Sequence, residues 1–185
     1  MMRPPPTPPV QEVTPVTTWD LDPRRSRILF KTNALWGLVS VKGAFRQVSG
    51  SGHVAPDGGV SGSLTIEAAS IDTTDARRDR HLRSTDFFDS DNHPDITFAV
   101  DAVLQSAAGA RVAGRLTIRK CTQHLSFDAA VSGQDDREVC LDAEVVVDRE
   151  DFGITWGKRM GAQMSNTVSI HAVFSRRSAL EEHAG

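Results

Sequence analysis

The sequence predicts an all-β chain of eight antiparallel strands closed into an up-and-down barrel, with one short helix near one rim. Three observations carry this. Apolar and polar residues alternate with a period of two through eight segments, the signature of strands with one dry face. Short turns of hairpin chemistry, "PDGG" at 56–59, "SAAG" at 106–109 and "SGQDD" at 132–136, separate several of them. Eight such strands are left without exposed edges only if the sheet closes on itself. A sandwich is the competing arrangement.

The strands follow in order. "SRILFKT" sets Ser26, Ile28, Phe30 and Thr32 on one face. "VSVKGAFRQ" sets Val39, Val41, Gly43 and Phe45 against Ser40, Lys42 and Arg46. "SLTIEAAS" offers Leu64, Ile66 and Ala68, and "DITFAVDAV" offers Ile96, Phe98 and Val100. "RVAGRLTIR" places Val112, Leu116 and Ile118 opposite three arginines. "QHLSFDAAV" contributes Leu125, Phe127, Ala129 and Val131. "VCLDAEVVV" contributes Val139, Leu141, Ala143, Val145 and Val147, and "TVSIHAVF" ends the series with Val168, Ile170, Ala172 and Phe174. "TTWDL" ahead of the first strand reads as a short edge piece.

Alternating the strands up and down sorts the connections. The turns at 56–59, 105–110 and 132–138 fall at one end. The connections at 33–38, 71–94, 120–122 and 148–166 fall at the other, so both long ones share an end. Long connections in compact domains are usually functional or disordered. These carry large apolar side chains: Leu35, Trp36 and Leu38 in the first, Leu82, Phe87 and Phe88 in the second, Trp156 and Met160 in the last. Inside the barrel, Phe30, Phe45, Ile66, Ile96, Phe98, Leu116, Phe127 and Phe174 face the dry side. No ionisable residue does so within the eight strands. Small inward residues such as Gly43, Ala68, Gly114, Ala129, Ala143 and Ala172 leave room, and an eight-stranded barrel can hold one small ligand. A dry cavity of this kind takes hydrocarbon but offers no acid or base. These inward and rim residues are the candidate ligand contacts.

The stretch "SIDTTDARRDRHLRSTDFFDSDNHPDITF" concentrates charge beside the aromatic pair. "DARRDRHLR" reads as a short helix with Asp75 as N-cap and an Asp79–Arg83 pair one turn apart. A solvated helix pinned to the rim by Leu82, Phe87 and Phe88 is favoured over a catalytic centre built on His81, Asp79, Asp86 and His93. No nucleophile motif accompanies those residues. No metal-binding spacing is present, and the stretch from Asp89 has Pro94 where a calcium loop needs glycine. His53, His124 and His171 fall on turns or outward positions. A hairpin about "SGQDDRE" sets Val131 near Val139 and Gln123 near Val147. Cys121 and Cys140 then lie toward opposite ends of the barrel, too far apart for a disulfide.

The 185 residues suit one domain over 17–176, with tails at 1–16 and 177–185. The first tail holds six of the nine prolines and reads as extended and mobile, with no secretory leader. Net charge is −3 with acids and bases intermixed, which argues against a nucleic-acid partner. No apolar run approaches the ~20 residues of a membrane helix, so no integral membrane segment is expected. Two cysteines fit a reducing, cytoplasmic setting. No metal or redox cofactor is called for, and a homodimer is left open beside a monomer.

"WDLDPRRSRILF", "VKGAF", the 70–98 stretch, "GRLTIRKCTQHLSF" and "VDREDFGITW" occur in this order. Together they resemble the YceI-like family of polyisoprenoid-binding proteins from about Trp19 to Phe174. Within the central stretch Ile71, Asp72, Thr73, Arg78, Asp79, Leu82, Phe87, Phe88, Pro94 and Phe98 match the family pattern. The resemblance implies a lipocalin-like barrel with a helix near the mouth and a long apolar tunnel. It implies a ligand of isoprenoid type, a polyprenyl or quinone-type chain, and a binding protein rather than an enzyme. The chain departs from the pattern at its proline-rich start, at "NALWGL" with Trp36, and at Lys120 and Cys121. Sequestration or carriage of such an amphiphile is the expected function, with Arg78, Arg83 and Lys158 as candidate head contacts. The alternatives are a filled barrel acting as a stress-related interaction module and a hydrolase using His81 and Asp79.

Overall fold

The computed structural model describes residues 16–34, 39–107, 109–133 and 135–178. Its strands are β1 (Thr17–Leu21), β2 (Arg27–Ala34), β3 (Val39–Phe45), β4 (Val48–Val54), β5 (Val60–Glu67), β6 (Ile71–Asp72), β7 (Asp95–Ser106), β8 (Gly109–Ile118), β9 (Cys121–Ser132), β10 (Glu138–Asp148) and β11 (Ser165–Arg176). One α-helix, α1 (Ala76–Arg83), lies between β6 and β7. The ladder runs β1-β4-β5-β7-β8-β9-β10-β11 and closes where β11 returns to β1. The strands β2, β3 and β6 prolong β1, β4 and β5 beyond local breaks. The result is a closed barrel of eight antiparallel staves, three of them bent.

Each break keeps its backbone groups paired. Between β1 and β2 the chain turns at Asp22, whose carboxylate accepts from the N–H of Arg24 at 2.9 Å. The displaced N–H of Val173 on β11 donates instead to the Ser26 hydroxyl at 3.0 Å. Buried Ser26 thus takes the place of a missing ladder carbonyl. Between β5 and β6 the turn Ala68–Ser70 accepts the N–H of Arg46 on the Ser70 carbonyl at 3.1 Å.

The edge piece expected at "TTWDL" is a full member of the wall. Trp19 of β1 pairs with Gly52 of β4 on one side and Arg176 of β11 on the other. The hairpin between β9 and β10 also differs from expectation. Cys140 pairs with Ser132 and Leu141 with Val131, a slip of two residues. The cause is a compact turn in which Gly133 takes φ +61° and the Asp135 carboxylate accepts from the N–H of Arg137 and Glu138. An even slip preserves the faces, so the inward residues stay inward.

The interior is filled on one side by Leu21, Ile28, Val48 and Ala172, packed against Phe45 and Leu64 where the staves bend. A second apolar cluster caps the end that carries the long connections. There Phe87, Phe152 and Ile154 pack over Ala68, Ile96 and Ile118. Two inward glycines do not leave empty space. A Cβ on Gly43 would meet the Phe30 ring at 2.5 Å, and one on Gly114 the Phe98 ring at 2.6 Å. Each glycine is the bed for an aromatic side chain of the preceding strand, Phe30 of β2 or Phe98 of β7.

Candidate functional site

The rest of the barrel is hollow. A cavity of about 1040 Å³ runs through it, walled by the inward residues of the staves. Phe30, Phe45, Ile66, Ile96, Phe98, Leu116, Phe127 and Phe174 all line it. The ring pairs Phe30–Phe45 at 5.8 Å and Phe98–Phe127 at 5.7 Å stiffen the wall. At the end of short turns the lining is completed by Trp19, which the sequence reading left out, beside Gly52 and Val54. The alternation that builds the staves thus also builds the hollow.

At the opposite end α1 and the 149–163 segment form the rim. Asp75 caps α1, accepting from the N–H of Arg77 at 3.0 Å and of Arg78 at 3.1 Å. Those two bonds hold the Asp75 carboxyl below the usual carboxylate range. Asp79 does not pair with Arg83. Its buried carboxylate accepts from the N–H and the hydroxyl of Thr73, and Arg83 donates to the carbonyl of Ile71 at 2.8 Å. The charged stretch is therefore a clamp of helix on barrel.

Among the expected rim contacts, Leu82, Phe87, Phe88 and Trp156 line the cavity. Met160 does not. It sits on a single helical turn, Lys158–Met160, between Gly157 and Gly161, both at positive φ, and is 56% exposed. Leu35, Trp36 and Leu38 lie outside the described residues. Of the three proposed head contacts, Arg78 lines the cavity but its guanidinium is bound to Thr73. Arg83 is held at Ile71 as above, and Lys158 is paired with Glu150.

His81 and Asp79 are not brought together. His81 places Nε2 3.3 Å from Asp86 and packs edge-on against Trp156 at 4.5 Å and Phe87 at 5.1 Å. Among the described residues no cluster of His, Cys, Asp and Glu has the arrangement to hold a metal ion. His53 bonds Thr18 and His171 bonds Asp142. Both cysteines are free.

Arg149 is one of the rim residues that sequence reading missed, with Ile154 and Gln163. It lines the cavity, places its guanidinium 5.3 Å over the Phe87 ring, and donates through Nη2 to the carbonyl of Trp156 at 2.8 Å. Burial pushes its pKa below the usual arginine value, and Asp148 offsets part of that. The signal was present. Counting on by two from Val145 and Val147 reaches Arg149 on the same inward parity.

Residues 19–175 match the family model described as the YceI-like domain. The UPF0312 protein SAS2572 of Staphylococcus aureus is 29% identical over 168 residues, covering 85% of this chain and 95% of the relative. Protein YceI of Escherichia coli is 32% identical over 97 residues, about half of each chain. Among solved structures, Burkholderia cenocepacia BcnA superposes with a TM-score of 0.74 at 22% identity, over 83% of this chain and 99% of the other. A polyisoprenoid binding domain from Saccharophagus degradans gives 0.71 at 15% identity, over 86% and 98%. At these identities the two superpositions speak to the fold.

Proposed function

From a chain that belongs to the YceI-like family, we propose a carrier that takes the hydrocarbon chain of an isoprenoid amphiphile, polyprenyl or quinone-type, into the barrel and keeps it from water. The observation that carries this reading is the cavity itself: long, walled by aliphatic and aromatic side chains, and hollow where a filled barrel would be packed. The polyisoprenoid binding domain of like fold supports the ligand class. The candidate contacts are the wall residues Phe30, Ile66, Phe98 and Phe127 and the rim residues Leu82, Phe87 and Trp156.

The volume bounds the cargo. At about 30 Å³ per non-hydrogen atom, the share of a water in the liquid, 1040 Å³ holds about 35 atoms. Hydrocarbon transfer contributes ~0.8 kcal/mol per methylene before ordering costs, and drug-sized ligands retain ~0.3 kcal/mol per atom. A chain of about 20 carbons then binds at tens of micromolar, and one that fills the cavity at tens of nanomolar. Affinity should climb with chain length and level off near seven isoprene units.

The proposal extends to a cytoplasmic setting, which the two free cysteines support. It takes 17–176 as the working unit. Organic extraction of protein purified without added lipid, followed by mass spectrometry, tests the function. A stoichiometric isoprenoid supports it. An extract holding only non-isoprenoid lipid, with no binding of added prenyl chains, overturns it.

A further inference from the structure

We propose that the seam between β9 and β10 is a side door through which the hydrocarbon chain enters and leaves the barrel. This rests on the reading that the cavity takes such a chain. β9 and β10 are paired only where Cys140–Ala143 meets Ala129–Ser132. Beyond Ala129 and Ala143, among the described residues, no ladder pair joins 121–128 to 144–148. Each strand nevertheless keeps its other neighbour to the end. β9 stays with β8 as far as Cys121 and Ile118, and β10 with β11 as far as Asp148 and Ser165. The wall is split between two staves that are each held from behind. At ~3.4 Å per residue, the unpaired run 144–148 makes a slot about 17 Å long.

The sequence explains the split. Carried on in register, the hairpin would set Asp128 directly opposite Glu144. Both are exposed acids, and like charges at opposed positions destabilise a ladder. Asp128 turns instead to Arg111 on β8, at 3.3 Å. The same register would pair Phe127 with Val145 and Leu125 with Val147, and all four line the cavity. The slot therefore gives onto the hollow. On the outer wall, a shallow hollow of about 510 Å³ lies at the head of the slot, bordered by Asp128 and Glu144. Ala143 and Ile170 border it too, and both also line the interior. Val146 on the slot's lip is 63% exposed, an apolar step on the outside. Backbone groups turned to the slot lack ladder partners and are met by water, so this is the part of the wall most easily parted.

The end with the long connections is a poorer entrance. Phe87, Phe152 and Ile154 are packed over it, and α1 is tied down by the buried Asp79–Thr73 bonds. Sideways entry moves neither. It has to release one latch at the rim end of the slot, where the side-chain amide of Gln123 donates to the carbonyl of Asp151 at 2.9 Å.

The experiment locks the slot. In a Cys121→Ser, Cys140→Ser background, Ser126→Cys and Val146→Cys stand opposite one another on the outer wall in the continued register, and a short bismaleimide joins them after folding. The same protein capped at each thiol with N-ethylmaleimide carries the bulk without the bridge. The probe is a prenyl quinone, its arrival read by quenching of Trp19 and Trp156, which line the cavity. Bridging is expected to slow entry and exit by roughly tenfold or more and to leave Kd within about twofold, because both rates change together. Equal rates in bridged and capped protein overturn the side door and leave the cargo reading standing. If the capped protein binds no prenyl quinone, the cargo reading falls and the door with it. On wild-type protein alone, the amides of 122–128 and 144–148 that face the slot should exchange with solvent about a hundredfold faster than those of the paired 129–132 and 140–143. Equal protection means a zipped seam and contradicts the proposal without any variant.

Discussion

Asp79 accepts two hydrogen bonds from a single residue, Thr73: from its N–H at 2.9 Å and from its hydroxyl at 2.6 Å. Both residues are buried, and Arg78 closes the same knot by donating to the Thr73 hydroxyl at 2.8 Å. Helix α1 is thereby tied to the end of β6, and with it one wall of the rim. Replacing Asp79 with Ala leaves the Thr73 N–H unmade in a buried place. The expected cost is roughly 2–4 kcal/mol, read as a lower urea midpoint with an unchanged slope. Asp79→Ala with wild-type stability would show that the clamp does not hold the helix.

Glycine at 43 and 114 is expected to be as sensitive as the clamp. A methyl at Gly43 meets the Phe30 ring and the carbonyl of Asp72 at 2.9 Å, and one at Gly114 meets the carbonyl of Ala99 at 2.3 Å. Gly43→Ala and Gly114→Ala should each destabilise by about 1–3 kcal/mol through overpacking. Thermal melts decide it. Gly153→Ala serves as the comparison, because its site is open and only its φ of +73° opposes a side chain.

Bulk placed in the hollow should act on binding and spare the fold. Ala143 lines the cavity from β10. Ala143→Phe is expected to shorten the longest chain that still gains affinity, with the melting temperature within a few degrees of wild type. A chain-length series by fluorescence titration reads this directly.

Acid should loosen the turns before the sheet. Backbone N–H groups hold the Asp75 and Asp135 carboxyls below the usual range, those of Arg78 and Arg137 most strongly. The N–H of Thr74, followed by Arg46, does the same for Asp72. Lowered folded values mean that the folded chain binds fewer protons than the unfolded one. The stabilisation is complete above the unfolded carboxylate value of about 3.9 and is lost as pH falls through the folded values. Urea midpoints should therefore be level from about pH 7 to 5 and fall below about 4. Asp75→Asn with Asp135→Asn should flatten that acid limb.

How far the sequence foretold this structure follows from what alternation can encode. A period of two places Phe30, Phe98, Phe127 and Ile170 on one face whatever the register, which is why the wall of the cavity was readable. It does not encode where a stave bends. Strand β4 was missed because Gly50 and Gly52 stand where alternating apolar residues would announce it. The two-residue slip at β9–β10 came from the Asp135 turn, a local hydrogen-bond pattern that a count of loop residues does not capture. Gly43 and Gly114 looked like spare volume because sequence shows size and not the ring lying above. Met160 looked like lining because an apolar residue in a long connection has no visible direction. Arg149 was passed over because it lies beyond the strand, as the first residue of the helical turn 149–152 that follows β10.

The most direct measurement is a crystal structure of the protein soaked with a prenyl chain of about seven units. Continuous density along the hollow, against the Phe98 and Phe127 rings and with the head toward the α1 rim, is the expected result. A chain bound only on the outer surface, or a barrel that collapses around an empty interior and excludes it, would contradict a carrier role.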